Sequence, residues 1–363
     1  MKDATQIEMD DIDFLCNTSE HSDFTKLQFP NIVTLSMKQN CVPLTFLCHI
    51  DNSNTNVYLD YNKISYNSTE DMPCEIHTKE FEIVSFSGSR INGMLVDFFM
   101  SKYTKTTSND ISLYFKKSHL RVLSFFRYRS LSHRHDYRNH VLDFSENFLE
   151  VFNGLEIIIC PYKFTLNLEH NKINQIKKVT INTAYLRYYV PSIYLKYMNN
   201  SIGIANDNTT LIEIVGKRRY IYISVDLSFN KIYEINLATI FITDNNSFLA
   251  VKSLNVSHNN LEEYHNCLQN VNYIQILDFS YNKLRDLPDN PCRYGYHTYL
   301  GYNSITAISN TLPTVSISKL DLEWNLIEHI SEKAFTNMSS LRILNLRGNK
   351  LKTFLKPCKN YFT

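Results

Sequence analysis

The sequence predicts an α/β solenoid, curved into a horseshoe, on three observations: a recurring phrase, a near-constant spacing, and alternation within each copy. The phrase is clearest at Tyr222–Ile232 (YISVDLSFNKI), Val251–Leu261 (VKSLNVSHNNL), Ile274–Leu284 (IQILDFSYNKL), Ile317–Ile327 (ISKLDLEWNLI) and Leu341–Leu351 (LRILNLRGNKL). Each copy has apolar residues at its first, fourth, sixth and eleventh places and asparagine at its ninth. A weaker copy, TYLGYNSI, adds Asn303. The asparagines Asn230, Asn259, Asn282, Asn303, Asn325 and Asn349 lie 29, 23, 21, 22 and 24 residues apart. A repeat of this length cannot bury its apolar face alone and stacks on its neighbours.

Each part of the phrase has a structural reason. Strand side chains alternate, so the fourth and sixth residues point one way, into a shared core, and the fifth faces the concave surface. The strands stack in parallel at about 4.8 Å, so twelve of them give an inner arc of roughly 55 Å. The short asparagine amide satisfies backbone groups where the strand turns away, which predicts a ladder of asparagines along the coil.

Upstream the phrase decays but still parses. Ile32–Val42 carries Asn40, Val57–Ile64 carries Asn62, and Phe81–Ile91 has Ser89 in the asparagine place. Leu142–Leu149 carries Asn147, Leu166–Ile173 carries Asn171 and Leu195–Ile202 carries Asn200. Between Ser89 and Asn147 two registers stay open, with the strand at Ile111–Leu113 or at Leu120–Leu123–Phe125. The total is about 12 to 14 repeats. The expected organisation is a capping segment over 1–30, a solenoid over 31–355 (degenerate over 31–220, regular over 221–351) and an incomplete cap over 356–363.

Composition narrows the function classes. A formal net charge of +1 gives no push toward nucleic acid. No run approaches the roughly 18 apolar residues of a membrane-spanning helix, so a membrane is reached only through segments outside this chain. The first residues, MKDATQIEMDDIDFLC, lack the apolar stretch of a signal peptide. No nucleophile elbow, phosphate loop, zinc-protease helix or paired C-x-x-C appears, so neither catalysis nor a cofactor is expected, and no catalytic or metal residue is assigned.

The candidate sites are surface rows. Tyr61, His170, Phe229, His258, Tyr281, Tyr302 and Trp324 each precede a marker asparagine, which predicts a lateral column of rings suited to protein binding. The same position also serves local packing between coils. Asp60, Asp143, Asp226, Asp278 and Asp321, with Asn255 and Asn345, are expected between the strand leucines. There they form an acidic inner stripe for a cationic ligand or a plain solvated face. Arg127–His140 is basic and holds His133, His135 and His140, read as an exposed loop with no cysteine near enough to complete a metal site. Solenoid ends need caps, and Cys41–Cys48 or Cys16–Cys41 would supply one; free buried thiols are the alternative. Cys160, Cys267 and Cys292 read as small hydrophobes. Seven N-x-S/T sequons, at Asn17, Asn67, Asn199, Asn208, Asn245, Asn255 and Asn337, compare with about six expected by chance, so their count decides nothing.

The repeated phrase resembles leucine-rich-repeat proteins. In IEHISEKAFTNMSSL the convex residues Ile327, Ile330, Phe335, Met338 and Leu341 are spaced as in the typical repeat, found mostly outside cells. Cytosolic ribonuclease-inhibitor-like repeats usually carry cysteine at the asparagine place; the clear repeats here carry none. The long array with degenerate middle repeats resembles the ectodomain of an invertebrate Toll-like receptor. The resemblance implies a horseshoe with a parallel concave sheet and an irregular or short-helical convex side. It also implies recognition of a protein or microbial ligand, receptor dimerisation, and an extracellular, glycosylated location. The departures are a missing signal peptide, membrane helix and signalling domain, with LKPCKNYFT starting a C-terminal cap that stops; a truncated chain is expected. A cytosolic scaffold of the same architecture is the alternative.

Overall fold

The computed structural model describes residues 6–8, 10, 33–43, 55–65, 81–91, 96, 111–129, 139–158, 162–175, 177–182, 190–205, 211–216, 220–236, 240–243, 248–263, 271–287, 295–309, 312 and 317–352. Fourteen parallel strands form one sheet in chain order, from Gln6–Glu8 to Ile343–Asn345. Thirteen steps of about 4.8 Å give an inner arc of about 60 Å along this leucine-rich-repeat horseshoe. Gln6–Glu8 pairs with Thr34–Ser36, so the sheet reaches into the segment expected to cap it. The open register resolves at Ile111–Tyr114, which pairs with the strands on both sides. Ser118 stands in the asparagine place of that coil, and Val122–Leu123 pairs instead with Val151–Phe152 beyond the turn.

The core follows from the alternation. Val225 and Leu227, Leu254 and Val256, Leu277 and Phe279, and Leu320 and Leu322 are all buried, one pair per coil. Three degenerate coils place phenylalanine at the inner of these positions. Phe86, Phe115 and Phe144 stack there with centroids 5.6 and 5.2 Å apart.

The convex side is more regular than the resemblance implies. Over five coils it is a second parallel sheet, made of Phe126–Arg129, Leu155–Ile158, Val179–Asn182, Ile212–Val215 and Phe241–Thr243. Strands form there because the residues alternate with period two. In Leu155–Ile158 and Val179–Asn182, buried Leu155, Ile157, Val179 and Ile181 alternate with partly exposed neighbours. The last coil turns irregularly, burying Ala334 and Met338 through turns over 332–337.

The coils are stitched by the asparagines. Asn259 is typical. Its Nδ2 donates to the Leu227 carbonyl of the preceding coil (3.0 Å) and to the Val256 and Ser257 carbonyls of its own. Its Oδ1 accepts the Ile232 amide at 2.9 Å. The same reach-back runs through Asn62, Asn147, Asn171, Asn200, Asn230, Asn282, Asn303, Asn325 and Asn349. Ser89 and Ser118 keep one strut each, donating to Leu59 and Phe86. Asn40 accepts a neighbour's help instead: its amide donates to the Asn62 carboxamide oxygen.

Two stability outcomes follow. Asn259→Ala strands the Leu227 carbonyl and the Ile232 amide in a dry interior, and should lower stability by about 2–3 kcal/mol in urea denaturation. Tyr197 is fully buried, its hydroxyl meets no partner, and burial pushes the phenol well above its ordinary pKa. Tyr197→Phe deletes that stranded hydroxyl and should raise the urea midpoint, by about 1 kcal/mol in stability.

Candidate functional site

The ring column arises from backbone geometry. Several strands end in an aspartate or asparagine whose side-chain oxygen accepts the amide two residues on; the coil of Tyr302 has Tyr299 in that place instead. Asp226 accepts Ser228 N at 2.9 Å, Asn255 accepts Ser257 N at 3.0 Å, Asp278 accepts Ser280 N at 2.9 Å and Asp321 accepts Glu323 N at 3.2 Å. This side-chain turn bends the strand out of the sheet. The next residue is left-handed: φ is +54° at Phe229 and His258, +55° at Tyr281, +57° at Tyr302 and +50° at Trp324. The ladder asparagine follows.

A left-handed L-residue costs roughly 1–2 kcal/mol, and aromatic side chains rarely sit there. The conformation persists because it keeps the amide aimed at the next coil. Phe229 N donates to Ser257 O, His258 N to Ser280 O, Tyr281 N to Gly301 O, Tyr302 N to Glu323 O and Trp324 N to Arg347 O, at 2.7–3.1 Å. It also brings neighbouring side chains into register. Phe229, His258, Tyr281 and Tyr302 stack at 4.1, 4.1 and 4.2 Å with planes within 11° of parallel. Trp324 continues the stack at 6.1 Å, and the hydrogen bond that the Tyr302 hydroxyl donates to Tyr281 raises its phenol above the ordinary pKa. Ring pairs contribute about 0.5–1.5 kcal/mol beyond area burial, enough to offset much of the backbone cost.

The other candidate ring positions lie apart from this stack. His170 Nδ1 lies 2.7 Å from Asn199 Nδ2, and Asn199 occupies the left-handed place of its own coil. Between Tyr61 and His170 the same place holds Gly88, Lys117 and Glu146. Lys117 and Glu146 pair at 3.2 Å, and Lys116 joins at 2.7 Å, holding the Glu146 carboxyl below its usual range. Tyr61 lies over Gly88, and Trp324 over Gly348, where an added Cβ would stand 2.7 Å from the indole. Glycine is required at both ends because a flat ring covers the backbone.

The acidic row has a structural use. Asp143, Asp226, Asp278 and Asp321 each spend one oxygen on a turn, the task Asn167, Asn255 and Asn345 perform in their coils. Asp60 belongs elsewhere: the register places Tyr58 between the strand residues, and Asp60 accepts Ser87 N of the next coil at 2.8 Å. His140 is no loop residue. It lies in the strand Asn139–Asp143, buried, with Nδ1 against the Tyr128 hydroxyl. His133 and His135 lie outside the described residues, as do Cys16, Cys48, Asn17, Asn67, Asn208, Asn245 and the side chain of Cys41. Asn199 and Asn337 are exposed.

Sequence reasoning missed a second row on the concave face. Lys163 lies over the Tyr194 ring at 5.2 Å, Lys252 over Tyr222 at 4.7 Å and Lys319 over Tyr299 at 4.6 Å. The signal was present in the outward-facing letters of KFTLN, SIYLK and YISVD. Among the described residues no group of three or more His, Cys, Asp or Glu side chains could hold a metal, and no helix is long and apolar enough to cross a membrane.

This geometry defines a repeat solenoid that presents ordered side-chain rows. Residues 315–356 match the Leucine rich repeat family. A stretch of 117 residues, 30% of this chain, is 27% identical to leucine-rich repeats and immunoglobulin-like domains protein 2 of Mus musculus. The match covers 10% of that relative. Such repeats suggest a protein-interaction module, a fold that typically serves as a non-catalytic binding scaffold.

The left-handed place gives an inverted substitution order. Tyr281→Gly loses the stack but relieves the backbone, whereas Tyr281→Ala loses the stack and keeps the strain. Glycine should therefore be the milder change by about 1 kcal/mol in denaturant unfolding, the reverse of the order in a helix.

Proposed function

We propose that this chain is a non-catalytic recognition module that grips a protein or microbial ligand with its curved surface, as the ectodomain, or part of the ectodomain, of a Toll-like innate-immune receptor. The observation carrying this reading is the stack from Phe229 to Trp324. Five rings are held in line by a rigid backbone, and Phe229, Tyr281 and Trp324 remain 49%, 42% and 47% exposed. Because the rings stack face to face, their edges, hydroxyls and the indole N–H are what a partner meets. Preordered aromatic groups bind with little further loss of entropy and are enriched at binding hot spots.

The reading supports an extracellular site, with glycans at exposed Asn199 and Asn337, and dimerisation of two solenoids about a ligand. The cytosolic scaffold is its competitor. Surface labelling of the full-length protein in its own cells separates them: a surface-labelled glycoprotein supports the receptor, and an unglycosylated cytosolic protein supports the scaffold.

A photo-crosslinking residue in place of Tyr302 should capture a saturable partner that unlabelled protein competes away. Trp324→Ala should weaken that partner at least tenfold, the scale of a hot-spot loss of about 2 kcal/mol. Saturable binding untouched by Trp324→Ala would move the site off the column, and no saturable binding would end the recognition reading.

A further inference from the structure

We propose that Lys163 and Lys252, on the concave sheet, form a seat for a carboxylate-bearing loop of a partner protein; this deepens the recognition reading and rests on it. The seat begins with a break in register. Ile223 pairs with Val251 and Ser224 with Ser253, so Lys252 is one residue more than its neighbour strand can match. Such a bulge re-aims the extra side chain. Here Lys252 Nζ crosses the Tyr222 ring and comes to 3.4 Å from Ser192 Oγ, on the strand beyond. Ser192 is the register partner of Lys163, about 4.8 Å away from strand to strand, and Lys163 lies on the Tyr194 ring of the Ser192 strand. Two ammonium groups are therefore held over one strand, Ser192–Lys196, Lys252 at Ser192 and Lys163 at Tyr194.

Their charge distinguishes them from other concave lysines. Lys196 has Glu169 at 3.7 Å and Lys319 has Asp321 at 3.6 Å. Lys163 and Lys252 make no ion pair with a carboxylate among the described residues. Each is instead ordered by a ring, which favours the cation without neutralising it. An anion is the complement, and its entropy cost is reduced because the lysines are already placed.

The surroundings confine the anion to a short acidic segment at the strand starts. The other ends of the neighbouring strands carry Asp226, Asp278 and Asp321, which would repel an anion running along the strands toward them. Toward the seat stand the exposed rings of Tyr220, Tyr222 and Tyr273. A pair of cations beside tyrosine edges, backed by a repulsive row, fits one acidic side chain on a protein loop.

Fluorescence anisotropy with labelled octaglutamate at low salt tests this, with octaglutamine and a heparin octasaccharide as the other arms. Octaglutamate should bind saturably, and Lys163→Gln or Lys252→Gln should each weaken it about fivefold or more. Lys252→Arg, which keeps charge and ring contact, should bind like the original. This variant separates lost charge from lost fold, and Lys283→Gln on the lateral face should change little. Octaglutamine binding as well, no saturable octaglutamate binding, or indifference to both glutamine substitutions overturns the seat. Tighter heparin binding through the same lysines overturns the protein partner. If the seat fails while crosslinking at position 302 persists, the recognition reading survives without it.

Discussion

The asparagine ladder is the constraint from which the rest follows. A chain that leaves one parallel strand and must return to the next has to turn inside a dry interior, where unpaired carbonyls and amides are costly. A single carboxamide meets three needs at once: Asn230 reaches the Tyr197 carbonyl behind it, two carbonyls of its own turn, and the Ile202 amide. Aspartate would lack the donors, and serine supplies only one of them, as at Ser89 and Ser118.

Fixing the asparagine fixes its neighbours. The turn that delivers it puts a left-handed residue just before the ladder, and in several coils an aspartate or asparagine at the strand end supports it. Each coil repeats the demand, so left-handed residues line up and must interact with one another. The chain answers with an ion pair at Lys117 and Glu146, a side-chain contact at His170 and Asn199, and stacked rings from Phe229 onward. Interaction between coils thus both offsets backbone strain and orders an exposed strip. A packing role and a binding role for these rings are therefore compatible, since the stacking that serves one prepares the other.

The same logic separates two kinds of concave charge. The aspartates look like a ligand site in the sequence, but their inner oxygens close turns. The lysines look unremarkable in the sequence, but rings seat two of them without a counter-charge. Which charge is available to a partner depends on what each group already bonds.

The strand period, the buried positions, the ladder and the ring column were legible in the sequence, because each is set by residues close together in the chain and repeated at a near-constant spacing. Even the convex sheet was written in the alternation of Val179, Ile181, Ile212 and Ile214, where an irregular or short-helical side was expected. The register around Ile111, the fate of Asp60 and the burial of His140 were not legible, because the sequence around those residues departs from the repeated phrase. Only the tertiary structure decided that Lys252 is an unmatched residue poised over Tyr222 beside Ser192, since a bulge exists only in relation to the strand it fails to match.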